Sequence, residues 1–198
     1  MESDGTLTFN PAYKNQETIS QIRRAFSKNT NLPSVTLQKF FDESVYSSLQ
    51  SAFRKQKFAK KVDRMHYRYS TSPLPKALKE ILNDENFIAL CSRILDTKMK
   101  GIEGAMHSFG WKDYTLLHDE AIEQPGFDII MDFTDAWPKD AGGISVYVDG
   151  TGNYHHIPSS SNTLTLASRK EGVSKFVQYV NHKAGQRSRM LFLGTFRR

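Results

Sequence analysis

The chain changes character near residue 100, and that change limits the folds open to it. Before it, apolar residues recur at helical spacing. After it come short segments rich in β-branched and aromatic residues: "GIEGAMHSFGWKDYTLLH", "FDIIMDFT", "GGISVYV", "NYHHIP", "TLTLAS", "KFVQYV" and "SRMLFLGTF". Turn signals separate them: Pro125 with Gly126, the stretch 140–143, and "DGTG" at 149–152. Helices first and strands later predict an α+β fold. Seven or eight short strands predict a double-sheet barrel or jelly roll. A length of 198 residues suits one domain with a substantial core.

The first half reads as a helical support. Residues 1–15 look like a loose arm or an edge strand. "ETISQIRRAFSK" places Ile19, Ile22 and Phe26 on one helical face. An extended segment after Pro33 leads into a second helix, with Asp42 as its N-cap and Val45, Leu49 and Phe53 along one side. Two further helical stretches follow, one after Pro75 and one over about 84–96. The domain plan is an arm at 1–15 and a single domain at 16–198, helical over about 16–99 and a β-barrel from about 100.

Composition excludes several classes. With 38% hydrophobic and 24% charged residues, the chain is not globally disordered. No apolar run approaches the roughly 18 residues that span a bilayer, and "MESDGTLTFNPAYK" lacks the apolar core of a secretory signal. Cys91 is the single cysteine, so no internal disulfide forms; within "NFIALCSRILD" it reads as a small buried residue. These features point to the cytoplasm and to no membrane partner. The charge is +6, which permits an acidic partner, nucleic acid included, without requiring one. The excess is concentrated in "RKQKFAKKVDR" at 54–64. That run reads either as a solvated helix end and loop or as a phosphate-contacting patch built on Lys57, Lys60 and Lys61. No recognised nucleic-acid signature lies beside it.

His118 and Glu120 carry the first chemical signal. Two residues apart on a strand, they share a face, and Asp119 points the other way. An imidazole and a carboxylate on one face supply half of a ligand set for a divalent metal. Taken alone, the triplet equally describes a surface histidine beside two solvated acids.

The order of the surrounding segments is more specific. "LPSVTLQKFFDESVYSSLQSAF", "FGWKDYTLLHDE", "FDIIMDFTDAWPKDAGGISVYV", "NTLTLAS" and "RMLFLGTF" follow one another over about 32–196. In this order the chain resembles the prolyl-4-hydroxylase-like branch of the 2-oxoglutarate/Fe(II) dioxygenases. The resemblance implies N-terminal helices packed outside one sheet of a C-terminal double-stranded β-helix, a jelly-roll or cupin-like barrel. Its pocket would open between the two sheets near His118. It implies Fe(II) held by His118 and Glu120, with 2-oxoglutarate and O₂ in the open positions and ascorbate as an accessory reductant. Arg189, at the head of the last apolar strand, would grip the far carboxylate of 2-oxoglutarate through its planar fork. Arg187 is the alternative on the same face. Tyr114 and Tyr147 would add hydrogen bonds to the co-substrate, or else simply pack in the barrel.

The chain departs from that pattern twice. Glu120 stands where the family has aspartate, one methylene longer. Aligning Val177 and Val180 on the family's paired valines puts Lys175 at the distal histidine. An ammonium group has no lone pair to give a metal. His155 and His156 lie on another strand, and His182 lies only seven residues before Arg189. Three readings stay open: iron on two protein ligands and water, recruitment of His182, or a retained fold in which Lys175 pairs with Glu120 in place of the cation. The functions that follow are also three. One is a dioxygenase hydroxylating a protein side chain, proline first, or a small molecule. Another is a catalytically degenerate barrel that binds protein or RNA, and the last is another cupin-like barrel.

Overall fold

The computed structural model describes residues 9–28, 30–117, 125–157 and 160–197. Its helices fall where the 3.6-residue periodicity places them: α1 (Gln16–Lys28), α2 (Glu43–Arg54), α3 (Lys76–Leu82) and α4 (Glu85–Leu95). Ile19 and Phe26 of α1 are buried, as are Leu49 and Phe53 of α2. Asp42 takes the N-cap position of α2, but its side chain makes no capping bond; Asp84 does cap α4, accepting from the amides of Asn86 and Phe87. Cys91 lies fully buried inside α4, and burial pushes its thiol well up.

The strands are β1 (Ser34–Gln38), β2 (Ala59–Asp63), β3 (Tyr67–Ser72), β4 (Gly101–Phe109), β5 (Tyr114–Thr115) and β6 (Gly126–Asp132). They continue with β7 (Ser145–Val148), β8 (Tyr154–Ile157), β9 (Thr163–Arg169), β10 (Ser174–Val177) and β11 (Arg189–Arg197). The large sheet runs β1-β9-β6-β11-β4-β3-β2, with β5 attached to β3; the small sheet runs β10-β7-β8. Every strand pairing is antiparallel.

Strand alternation sorts the large sheet into two faces. Met106, Ile129, Met131, Leu164, Leu166 and Phe192 turn outward and join the helices in one core cluster. Phe109, Ile130, Ala167 and Leu191 turn inward and meet Tyr147 and Val177 of the small sheet in a second. The helices therefore back the large sheet, and the barrel interior lies between the sheets. Gly104 and Gly194 face each other across β4 and β11, and the Phe192 ring lies over both. A Cβ at Gly194 would stand 2.6 Å from that ring, so the spot excludes any side chain.

Two expectations from the first half need correction. Within the arm, Phe9 bridges to Phe41 and is buried in the helical core, and Pro11–Lys14 form a 3₁₀ turn. The basic run at 54–64 is not a helix end and loop throughout: its second half is β2, the outer strand of a hairpin that extends the large sheet. β1, β2 and β3 thus precede residue 100, and the helical and β portions interleave.

Candidate functional site

A cavity of about 530 Å³ occupies the barrel interior, within the range of small-molecule sites. One wall is aromatic. Tyr67 and Tyr69 of β3 stand beside His107 and Phe109 of β4, with ring centroids 5.4 Å apart for Tyr67–Tyr69 and 5.2 Å for Tyr69–His107. The opposite wall is polar and comes from Asp128 of β6, Ser145 and Tyr147 of β7, and Ser174 and Lys175 of β10. Thr115, Leu116 and Leu117 reach the same cavity from the end of β5.

Asp128 organises the polar wall. Its Oδ2 accepts from Arg169 Nε at 2.8 Å, from the Tyr147 hydroxyl at 2.9 Å and from Lys175 Nζ at 3.3 Å. The register of β6 with β9, and of β10 with β7, sets these partners side by side. Burial would make each charge costly alone, and mutual pairing offsets that cost. Asp128 Oδ1 and Ser145 Oγ are buried with no hydrogen-bond partner. Burial lowers the His107 pKa from its ordinary 6.5, and the charge of Lys175 lowers it further, against a backbone hydrogen bond to Ala105 that raises it.

The floor of the barrel holds a second buried pair. Arg189 is fully buried, donating from Nη2 to Asp132 at 3.1 Å and from Nη1 to the carbonyl of Gly143. Asp132 also accepts from the amides of Thr134 and Ser160. Burial lowers the Arg189 pKa while Asp132 holds it up. Gly142 and Gly143 both have positive φ, at 76° and 71°, which glycine adopts without strain. Trp137 Nε1 donates to Gly142 at 2.8 Å and fixes that turn.

The predicted site residues separate accordingly. His118 and Glu120 lie outside the described residues; Leu116 and Leu117, which follow β5, line the cavity. Lys175 is in the wall, and its described carboxylate partner is Asp128. Tyr147 is in the cavity, but its hydroxyl is already given to Asp128. Arg189 faces the barrel yet does not line the cavity, because Asp132 holds it below. Tyr114 lies on the other face of β5 from Thr115, against Tyr179 at 6.3 Å and bonded to the Arg64 carbonyl. His182 sits exposed in a 3₁₀ turn at the floor end, and Arg187 is exposed in the same connection, so neither reaches the cavity. Of the basic patch, Lys60 is tied to the buried Asp113, whereas Lys57 and Lys61 are exposed.

The sequence reading missed Asp128, Arg169 and Asp132. A signal was present: "FDIIMDF" carries two carboxylates four residues apart in an otherwise apolar strand, so both turn to one buried face and each needs a partner.

Among the described residues no three histidine, cysteine, aspartate or glutamate side chains come together. Lys175, which the family resemblance aligns with the distal histidine, shares the Asp128 carboxylate with the guanidinium of Arg169. Both repel a divalent cation, and neither has a lone pair to offer as charged.

No protein-family model matches the chain, and no curated protein sequence matches it. Solved structures do match in fold. A Pseudomonas putida prolyl-4-hydroxylase is 12% identical, with a TM-score of 0.69 over 91% of this chain and 98% of that one. A Trichoplax adhaerens prolyl hydroxylase, solved with a hypoxia inducible factor oxygen degradation domain peptide fragment, is 12% identical with a TM-score of 0.67, over 92% of this chain and 90% of that one. HygX from Streptomyces hygroscopicus, solved with nickel, 2-oxoglutarate and hygromycin B, is 11% identical with a TM-score of 0.61, over 84% of this chain and 83% of that one. The chain therefore has the double-stranded β-helix fold of the 2-oxoglutarate/Fe(II) oxygenases, on the prolyl-hydroxylase-like pattern.

Proposed function

We propose that this protein is a ligand-binding module on the 2-oxoglutarate/Fe(II) oxygenase fold, its pocket organised by an internal ion cluster instead of iron. The observation that supports the reading is the ion cluster of Lys175 and Arg169 on Asp128, with Lys175 being the residue that the family resemblance aligns with the distal histidine. The cluster supplies locally the positive charge that a metal supplies in the oxygenases, and it fixes the polar wall. Arg189, which the family resemblance assigns to 2-oxoglutarate, is engaged with Asp132 on the floor and acts as a structural lock.

A second reading is favoured by the aromatic-walled cavity, whose lining includes Leu116 and Leu117, and by the function of the fold neighbours. In it His118 and Glu120 hold Fe(II), Arg189 releases Asp132 to grip 2-oxoglutarate, and the protein hydroxylates a protein side chain, proline first, or a small molecule. An anaerobic titration with Fe(II) and 2-oxoglutarate separates the two. The first reading expects no visible charge-transfer band from folded wild-type protein. A band that His118→Ala removes would establish the second.

A further inference from the structure

The cavity does not end at its mouth. Lys61 and Asp63 of β2 lie directly opposite Tyr69 and Tyr67 of β3, so they stand on the same face of the sheet as the aromatic wall. That face runs continuously from Phe109 and His107 through Tyr69 and Tyr67 to Lys61. The cations at this end are unevenly used. Asp113 neutralises Lys60 and Arg68 on the other face. Among the described residues no carboxylate pairs with Lys57, Lys61 or Arg64, all three of them exposed. Lys61 of this outer strand, with Lys57 before it and Arg64 after it, therefore puts exposed cations near an aromatic-walled cavity, with Asp63 as the one acid of the strand on the same face.

We propose that this face binds single-stranded nucleic acid, with one unpaired base in the barrel cavity and the backbone phosphates along Lys57, Lys61 and Arg64. The proposal deepens the binding-module reading by naming its ligand class. Two features converge on it. Aromatic rings on a sheet give a base a surface to stack against, whatever its identity. Flanking cations track the phosphates. An acidic side chain in the cavity would confront the carboxylate of Asp128. A duplex is disfavoured because a paired base cannot enter a cavity within the barrel.

The test is fluorescence polarisation with a labelled 12-nucleotide single strand, its blunt duplex and a poly-glutamate peptide, over a series of salt concentrations. Two variants accompany the wild type: Lys57→Gln/Lys61→Gln/Arg64→Gln, and Tyr67→Leu. The expected result is preference for the single strand. The triple variant should flatten the log–log salt dependence by about two, since each phosphate contact on a single strand contributes about 0.7. Tyr67→Leu should weaken binding about tenfold with the salt slope unchanged. Should Tyr67→Leu unfold, Tyr69→Leu repeats the stacking arm at the neighbouring ring of the same wall. No binding in low salt, equal binding of poly-glutamate, or salt-sensitive binding indifferent to both pocket variants overturns the proposal. The metal titration reads a separate property: a protein that loads iron and also binds the single strand as described refutes the iron-free reading and leaves this site standing as a substrate site.

Discussion

Asp128 and Asp132 sit four residues apart on β6, on the same inward face, and each holds an arginine from a neighbouring strand. They differ in what surrounds the pair. Among the described residues Asp132 accepts from Arg189, at 0% side-chain exposure, and from two backbone amides. Asp128 borders the cavity, and its third partner, Lys175, keeps 30% of its side chain exposed. One pair seals the floor of the barrel and the other lines a space that admits a ligand. Binding chemistry is therefore assigned to the Asp128 end, although the family resemblance directs attention to Arg189.

The comparison can be broken by mutation. Asp132→Ala leaves a buried guanidinium and two amides without their acceptor, and should cost about 3–5 kcal/mol in urea denaturation. Asp128→Ala also takes a carboxylate from a buried guanidinium, Arg169, but beside a cavity and a lysine with 30% of its side chain exposed, and should cost less, about 1–3 kcal/mol. Equal losses would erase the distinction between floor and wall.

A finer test uses His107. Its lowered pKa means that the unfolded chain takes up a proton more readily than the folded one. The stability tied to neutral His107 is therefore complete above pH 6.5 and declines as pH falls from there toward the lowered value. Lys175→Met removes the repelling charge, so an NMR titration should show the His107 pKa move up toward 6.5. No movement would mean that the Lys175 charge does not act in the cavity.

The smallest effect is expected at a third carboxylate, in the turn between β7 and β8. Asp149 is held below the usual carboxylate range by His155 first and by Thr151 next, with Asn153 adding to them. Its contribution is present above the unfolded carboxylate value and is lost as pH falls through the lowered folded one. Asp149→Asn should therefore lower stability at neutral pH and flatten its acid dependence, with no change in the pocket.

Much of the architecture was legible because it depends on local periodicity. The spacing of Ile19, Ile22 and Phe26 places α1, and the short apolar, turn-bounded runs "FDIIMDF" and "MLFLGTF" place β6 and β11. β2 was not legible, because "AKKVD" is exposed on both faces and shows no alternation to read. The ion clusters were hidden for another reason. Arg169 and Lys175 lie 41 and 47 residues from Asp128, and only the sheet register brings them together. Alternation predicts that Arg189 faces inward, but only the pairing of β11 with β6 shows that Asp132 awaits it. Tyr114 illustrates the cost of ignoring period two: Thr115 takes the cavity face, so Tyr114 takes the other.

The central claim is that Lys175 and its ion pairs stand where the fold otherwise places a metal. Calorimetric titration of Co(II) into wild type and Lys175→His, side by side, tests it most directly. The account predicts no specific binding by the wild type and a one-site isotherm for Lys175→His, in which the ammonium has been exchanged for an imidazole ligand. Stoichiometric Co(II) binding by the wild type, abolished by His118→Ala, would contradict it.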